Sequence, residues 1–260
     1  MAFVIVATII VIGTVLWNAV SPWWFTPLAS NWGFLDTTII ISLWVTGVAF
    51  VAVSGFIIYC VFKFPYKEGH KAEYQPENTR LEVILTVVTT IGVVVLLAPG
   101  LIAWNQYIVL PDDAIEVEGV GQQWVWSYRF PGEDGIYGNT NGRLFSSKNT
   151  FGIDPNDPNG QDDILIRGGE VHLPINEKVV FQLRSKDVLH DFYIPQFRAK
   201  MDLVPGQQSN LWFEPTLLGT YEVACAEYCG TGHYAMRGLI TVDTREDFDA
   251  WLAEQPTFVE

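Results

Sequence analysis

Three long, largely apolar runs in the first 110 residues constrain this chain more than any other feature: Ala2 to Val20, Thr37 to Phe62 and Leu81 to Trp104. Each reaches the ~20 residues that an α-helix needs to cross a hydrocarbon core of roughly 30 Å. A run at the start of a chain can also be a cleaved signal peptide, but that requires a basic leading region. No Lys or Arg precedes Lys63, so three retained spans are expected, at about 2–20, 37–62 and 81–104. The stretch from Ser21 to Asp36 carries only Asp36, whereas Lys63 to Arg80 carries Lys63, Lys67, Lys71 and Arg80. The second loop is therefore expected on the cytoplasmic side and the C-terminal part outside. Trp17, Trp23, Trp24 and Trp32 fall around the outer end of the first hairpin, where indoles favour the headgroup level.

The apolar character ends at Leu110-Pro111, dividing a helical anchor, 1–110, from an outer domain, 111–260. The anchor holds four Lys or Arg and five Asp or Glu; of the chain's fifteen and twenty-nine, eleven and twenty-four remain for the outer domain, a net charge of −13. Such a field disfavours nucleic acid and speeds encounter with a basic protein.

Short alternating or β-branched runs follow: Ala114–Val120, Gln122–Phe130, Ile164–Arg167, Lys178–Arg184, Asn210–Glu214, Gly219–Cys225 and Gly238–Val242. With turn residues between them they predict a β-sandwich or barrel. Residues 131–163, rich in Gly, Asn, Asp and Pro, read as a surface insertion ordered by its own turns or against a partner. Thr244-Arg-Glu-Asp247 resembles a capping box, and Phe248 and Trp251 follow at helical spacing, so a short amphipathic helix closes the chain.

The chemistry concentrates in Cys225-Ala-Glu227-Tyr-Cys229-Gly-Thr-Gly-His233-Tyr-Ala-Met236. Soft sulfur with imidazole suits copper or zinc, and a Met ligand tilts the choice to copper. Structural zinc sites instead use Cys and His. A disulfide between Cys225 and Cys229, which an extracytoplasmic site permits, would leave His233 and Met236 without a role. Two thiolates invite two ions bridged by both sulfurs, each ended by one His, and the second His must then come from elsewhere. His190, in Asp187-Val-Leu-His190, follows a strand at a Pro-containing edge that can turn it toward a loop. His172 alternates within a polar strand and is expected to be exposed; His70 belongs to the cytoplasmic loop, and Cys60 packs within a span.

At these residues the chain resembles subunit II of cytochrome c oxidase and its haem-copper relatives. The likeness runs through the last two spans and nearly all of the outer domain, by way of Asp187-Val-Leu-His190, Lys200-Met201-Asp202, Val204-Pro205-Gly206 and the Cys-x-Glu-x-Cys-x-x-x-His-x-x-Met run. The resemblance implies a membrane-anchored, all-β fold in which three transmembrane helices precede a cupredoxin-like β-sandwich carrying dinuclear copper (CuA). His190 and Met236 would hold one copper, His233 and the Glu227 carbonyl the other, with Cys225 and Cys229 bridging both. It further implies that the Glu227 carboxylate binds magnesium at the interface with the catalytic subunit I, and that Trp124, in Gln122-Gln-Trp124-Val-Trp126-Ser-Tyr128, receives electrons from cytochrome c. By strand alternation Trp124 is expected on the same face as Trp126 and Tyr128. Glu82 matches the carboxylate at the mouth of a proton channel, although a group there can also snorkel into headgroups. Haems and oxygen chemistry would belong to the partner subunit, and the setting would be the lipid of a bacterial inner membrane.

Two departures stand out. Gln122 occupies a position where the family commonly has His, and Leu85-Thr86-Val87-Val88-Thr89 stands where it has Trp-Thr-x-x-Pro. They leave the equivalent subunit of a nitric oxide reductase as an alternative. A membrane-tethered copper carrier or assembly protein is a second, although exchangeable ligands rather than a sequence-distant His190 would suit it better.

Overall fold

The computed structural model describes residues 2–259 apart from 22–25, 72 and 75. Trp23 and Trp24, expected at the headgroup level, lie outside the described residues. Three helices begin the chain: α1 (Ala2–Val20), α2 (Gly33–Lys63) and α3 (Thr79–Ile108). At 19, 31 and 30 residues, all three are long and apolar enough to cross a membrane, and the last two outrun their expected spans at both ends. Asp36 in the first turn of α2 and Lys63 in its last turn complement the helix dipole. The Asn78 side chain caps α3 by accepting from Leu81 N at 3.0 Å. Among the described residues α1 and α2 bury none, and α3 buries only Ala103. Apolar helices exposed all round are stable only where lipid replaces water. Several of their hydroxyls are satisfied within the helix: Thr8, Thr14, Ser42, Thr46 and Thr89 donate to the carbonyl four residues earlier.

Contacts divide the chain into two units, residues 1–25 with 34–104 and residues 26–33 with 105–260. The second unit is a sandwich of two five-stranded sheets. Its strands in chain order are β1 (Ile115–Gln122), β2 (Val125–Phe130), β3 (Ile164–Arg167), β4 (Glu170–Pro174), β5 (Val179–Ser185), β6 (His190–Ile194), β7 (Ala199–Leu203), β8 (Gln208–Phe213), β9 (Gly219–Cys225) and β10 (Arg237–Asp243). One sheet runs β3-β2-β1-β5-β8 and the other β4-β10-β9-β6-β7. The β1–β5 and β4–β10 pairs are parallel; the other ladders are antiparallel. The unit is not purely β, since it ends in helix α4 (Arg245–Ala253).

Aromatic side chains fill the space between the sheets. Trp126, Tyr128, Phe181, Phe192, Phe197 and Phe213 are all essentially without exposure, and burying each such side chain contributes about 1.5–3 kcal/mol. Phe192 packs edge-on against Trp126 at 5.3 Å and against Tyr128 at 6.2 Å. Trp32 also belongs to this unit. It is 2% exposed, sits edge-on to Trp212 at 4.8 Å, and its Nε1 donates to the Trp212 carbonyl.

The long β2–β3 connection folds back through two 3-10 turns, Gly142–Leu144 and Pro158–Gly160, and buries Phe151 and Ile153 against Val120 and Leu165. Arg129, 3% exposed, fastens it. Its guanidinium pairs with Glu118 at 2.6 Å and Asp163 at 3.0 Å and lies over the Tyr137 ring at 4.6 Å. Asp163 in turn accepts from Gly138 N. Burial raises the Asp163 carboxyl to about 6 in spite of the neighbouring guanidinium.

Thr244 caps α4 by accepting from Asp247 N at 3.2 Å, and Phe248 packs on Phe130 at 5.9 Å. Beyond the helix the chain runs beside β3: Leu165 N donates to Pro256 O, and Phe258 N to Asp163 O, both at 2.9 Å.

Removing one member of a buried charge network costs about 3–5 kcal/mol, whereas loss of an N-cap costs about 1 kcal/mol. Asp163→Ala is therefore expected to lower the urea midpoint of the detergent-solubilised chain several times more than Thr244→Ala. Equal losses, followed by tryptophan fluorescence, would show that the Arg129 network does not hold the insertion.

Candidate metal centre

One end of the sandwich gathers three separated segments. β9 delivers Cys225 at its last residue, β6 begins at His190, and the loop from Ala226 to Met236 joins β9 to β10. The β6–β9 register sets Phe192 opposite Cys225. Because residues two apart share a face, His190 points to the same side as Phe192, next to the Cys loop. Cys225 N donates to Met236 O, closing the loop at its far end.

Within this loop Cys225 Sγ lies 3.7 Å from Cys229 Sγ, 3.9 Å from His190 Nδ1 and 3.2 Å from the Glu227 carbonyl oxygen. Cys229 Sγ lies 3.7 Å from His233 Nδ1 and 3.8 Å from Met236 Sδ. The ligand atoms of His190, Cys225 and Cys229 fall within 4.8 Å of one another. A sulfur separation of 3.7 Å is far from the ~2.05 Å of a disulfide, and both cysteines are free thiols. All six sequence-derived ligand positions therefore meet, with Glu227 represented by its backbone. His190, Cys229 and Met236 are at most 2% exposed; His233 is half-buried.

The surroundings orient these donors. His190 Nε2 lies 2.8 Å from Asp187 Oδ1. Burial opposes ionisation of Asp187, but hydrogen bonds from Gln123 N, His190 and Val188 N outweigh it and hold its carboxyl below the usual range. An ionised carboxylate only accepts, so Nε2 carries the proton and Nδ1 turns its lone pair toward Cys225, an outer partner typical of a metal-binding histidine. Trp126 meets the imidazole edge-on at 6.1 Å. Burial, and then the Cys225 sulfur beside it, push the Cys229 thiol up to about 12. A cluster of sulfur and imidazole donors of this kind could hold a soft metal ion.

His190, expected after a strand at an edge that turns it toward a loop, opens β6 and is fully buried beside the cysteine loop. Trp124 departs from expectation. β1 ends at Gln122 and β2 starts at Val125, so Gln123 and Trp124 form the hairpin turn. Trp124 is 40% exposed while Trp126 and Tyr128 are buried, and it does not share their face. Its Nε1 donates to Cys229 O at 3.3 Å, and Gln123 Nε2 donates to the same oxygen at 2.9 Å. His172 is not free on the surface: it stacks on Trp251 at 4.4 Å and meets Asp243 through Nδ1. Glu82 lies exposed in the first turn of α3. Asp187 and Gln123 were not singled out from sequence, although Asp187 stands three residues before His190, the spacing at which the two meet.

A family model described as the periplasmic domain of cytochrome c oxidase subunit II matches residues 115–243, from the first strand of the sandwich to the last. The alternative cytochrome c oxidase subunit 2 of Bradyrhizobium diazoefficiens is 51% identical over 258 residues, covering 99% of this chain and 93% of that protein. Cytochrome c oxidase subunit 2 of Cereibacter sphaeroides is 27% identical over 240 residues, covering 88% of this chain and 77% of that one. The crystal structure of the periplasmic domain of subunit II of cytochrome oxidase (CoxB) of Bradyrhizobium japonicum aligns with 26% identity and a TM-score of 0.41, over 56% of this chain and 95% of that one. Since identity above one half persists through nearly the full length of both chains, and the family model spans every strand that frames the cysteine loop, this chain belongs to the cytochrome c oxidase subunit II family, a subunit of an oxidoreductase complex.

Proposed function

We propose that this chain is the electron-receiving subunit of a cytochrome c oxidase, taking electrons from cytochrome c at a dinuclear copper (CuA) centre and passing them to haem in the catalytic subunit. The observation that carries the reading is the donor set: two thiols, two imidazoles, a thioether and a carbonyl meet at one end of the sandwich. When bound there, a copper pair supplies reversible one-electron storage. The side chains divide the work. Cys225 and Cys229 would offer two sulfurs for sharing, His190 with Met236 and His233 with the Glu227 carbonyl would complete the two sides, and Asp187 orients the His190 ring. Donors fixed by two β-strands and a hydrogen-bonded carboxylate favour electron transfer over ligand exchange and weigh against a copper carrier.

Trp124 connects this cluster with solvent, being exposed on one side and hydrogen-bonded to the Cys229 backbone on the other. The outer domain's negative charge steers a basic cytochrome toward it. The same reading gives the Glu227 carboxylate a magnesium ion shared with the catalytic subunit, gives Glu82 a part in proton uptake, and sets residues 1–110 in a bacterial inner membrane with residues 111–260 on its outer side.

Copper-loaded chain is expected to hold two copper ions by elemental analysis and to give the EPR signature of one electron shared by two metals. Cys225→Ser should abolish that signature and not merely weaken it, because each sulfur serves both ions. One copper per chain at full loading, or an unchanged signature in the variant, would overturn the dinuclear centre.

His190→Ala should alter the copper spectrum, whereas His172→Ala should leave it intact and only loosen α4 through lost stacking on Trp251. The reverse result would reassign the distant ligand.

Trp124→Gln is expected to retain the copper spectrum and near-normal donor binding, yet lose most of the rapid reduction by ferrous cytochrome c in stopped flow. The bimolecular phase should slow as salt shortens the Debye length from ~10 Å at 0.1 M. Undiminished transfer would remove Trp124 from the route, and salt-independent association would argue against a basic donor.

A further inference from the structure

The glycines of the metal loop are not equivalent. Gly230 has φ of +122°, a backbone conformation that side chains disfavour, so its identity is explained by the turn. Gly232 has φ of −90° and ψ of 6°, which any residue adopts, and its identity needs another cause. A Cβ built on Gly232 would lie 2.4 Å from Trp124 Cδ2, 2.7 Å from Cγ and 2.8 Å from Cε3. Real carbon contacts do not approach so closely, and the obstacle is a bulky ring. Gly232 is thus glycine because the indole occupies the space of its missing side chain.

The other side of that slot is equally defined. Gln123 Nε2 and Trp124 Nε1 both donate to Cys229 O, and Gln123 N donates to Asp187 Oδ2 at 2.7 Å. Asp187 through its other oxygen meets His190. The exposed indole is therefore held between a glycine of the metal loop and a turn pinned to the carboxylate that orients His190.

We propose that Gly232 is a positioning residue for electron reception: its lack of a side chain creates the slot that keeps the Trp124 indole against the Cys229 backbone, with Gln123 as the second clasp. This rests on Trp124 being the electron-receiving group. The step moves one electron; the donor haem iron passes from ferrous to ferric and the copper centre gains the electron, with no bond or proton transferred. What Gly232 controls is the distance and contact across which the electron passes.

The test uses detergent-solubilised, copper-loaded full chain, with the Trp124 indole N–H signal identified in 15N-tryptophan spectra by its absence from Trp124→Leu. In Gly232→Ala the indole is displaced, so its N–H should exchange with solvent at least roughly tenfold faster, as expected when a local hydrogen bond opens. Transfer within the cytochrome c complex should lose most of its rate, because the displaced indole no longer links the donor to the Cys229 backbone. Reduction by hexaammineruthenium(II), which needs no docking site, should be unchanged. Gln123→Met, which removes one clasp and leaves the slot, should act in the same direction and more weakly. Because Gly232 precedes His233, Gly232→Ala is repeated in the Trp124→Leu background, where it should cost no further transfer rate.

Unchanged indole exchange in Gly232→Ala would overturn the slot. Equal slowing with hexaammineruthenium(II), or full slowing in the Trp124→Leu background, would mean that Gly232 acts through His233 and would overturn the proposal. Faster indole exchange with undiminished transfer would keep the slot but remove Trp124 as the receiving group, so the two readings fail separately.

Discussion

The ladder between β6 and β9 is the contact on which the site depends. His190 and Cys225 are 35 residues apart in the chain, and only the pairing of Phe192 with Cys225 puts them on one face at one height. A slip of one residue would turn His190 outward and carry Asp191 toward the metal loop. The aromatic core resists that slip, since Phe192 is gripped by Trp126, Tyr128 and Phe181. Packing in the middle of the sandwich thereby determines chemistry at its end.

Buried polarity follows the same logic in two places. Arg129 carries positive charge into the interior, and Glu118, Asp163 and the Tyr137 ring converge on it. The cysteine pair offers the opposite case, a cluster of soft donors in place of an ion pair. One network is completed by the chain itself and holds a loop; the other gathers side chains that could hold a metal ion. That contrast separates a structural cluster from a functional one more reliably than composition does, because both are rich in ionisable groups.

The apolar helices, most strands and the cysteine loop were legible because their signals are local. Hydropathy identifies α1 to α3 within a few residues, and five ligand positions fall within the twelve residues from Cys225 to Met236. His190 was legible through its motif, but β6 and β7 were not, since Asp191, Lys200 and Asp202 break the apolar alternation that marks a strand. Trp124 is hidden for a related reason: the run from Gln122 to Phe130 alternates well enough to read as one strand, and nothing local marks Gln123-Trp124 as a turn. His172 reads as exposed because its stacking partner, Trp251, lies far along the chain. Long-range register, rather than propensity, decides each of these cases.

The tail beyond α4 does more than end the chain. β3 is an edge strand, and the backbone from Pro256 to Phe258 hydrogen-bonds along it, with Thr257 bridging Ile164. An open edge is a template for another molecule's strand. A domain tethered to a membrane diffuses in two dimensions among copies held at the same height, where edge-to-edge pairing needs little search. By running along β3, the backbone from Pro256 to Phe258 occupies that edge and withholds it from another strand.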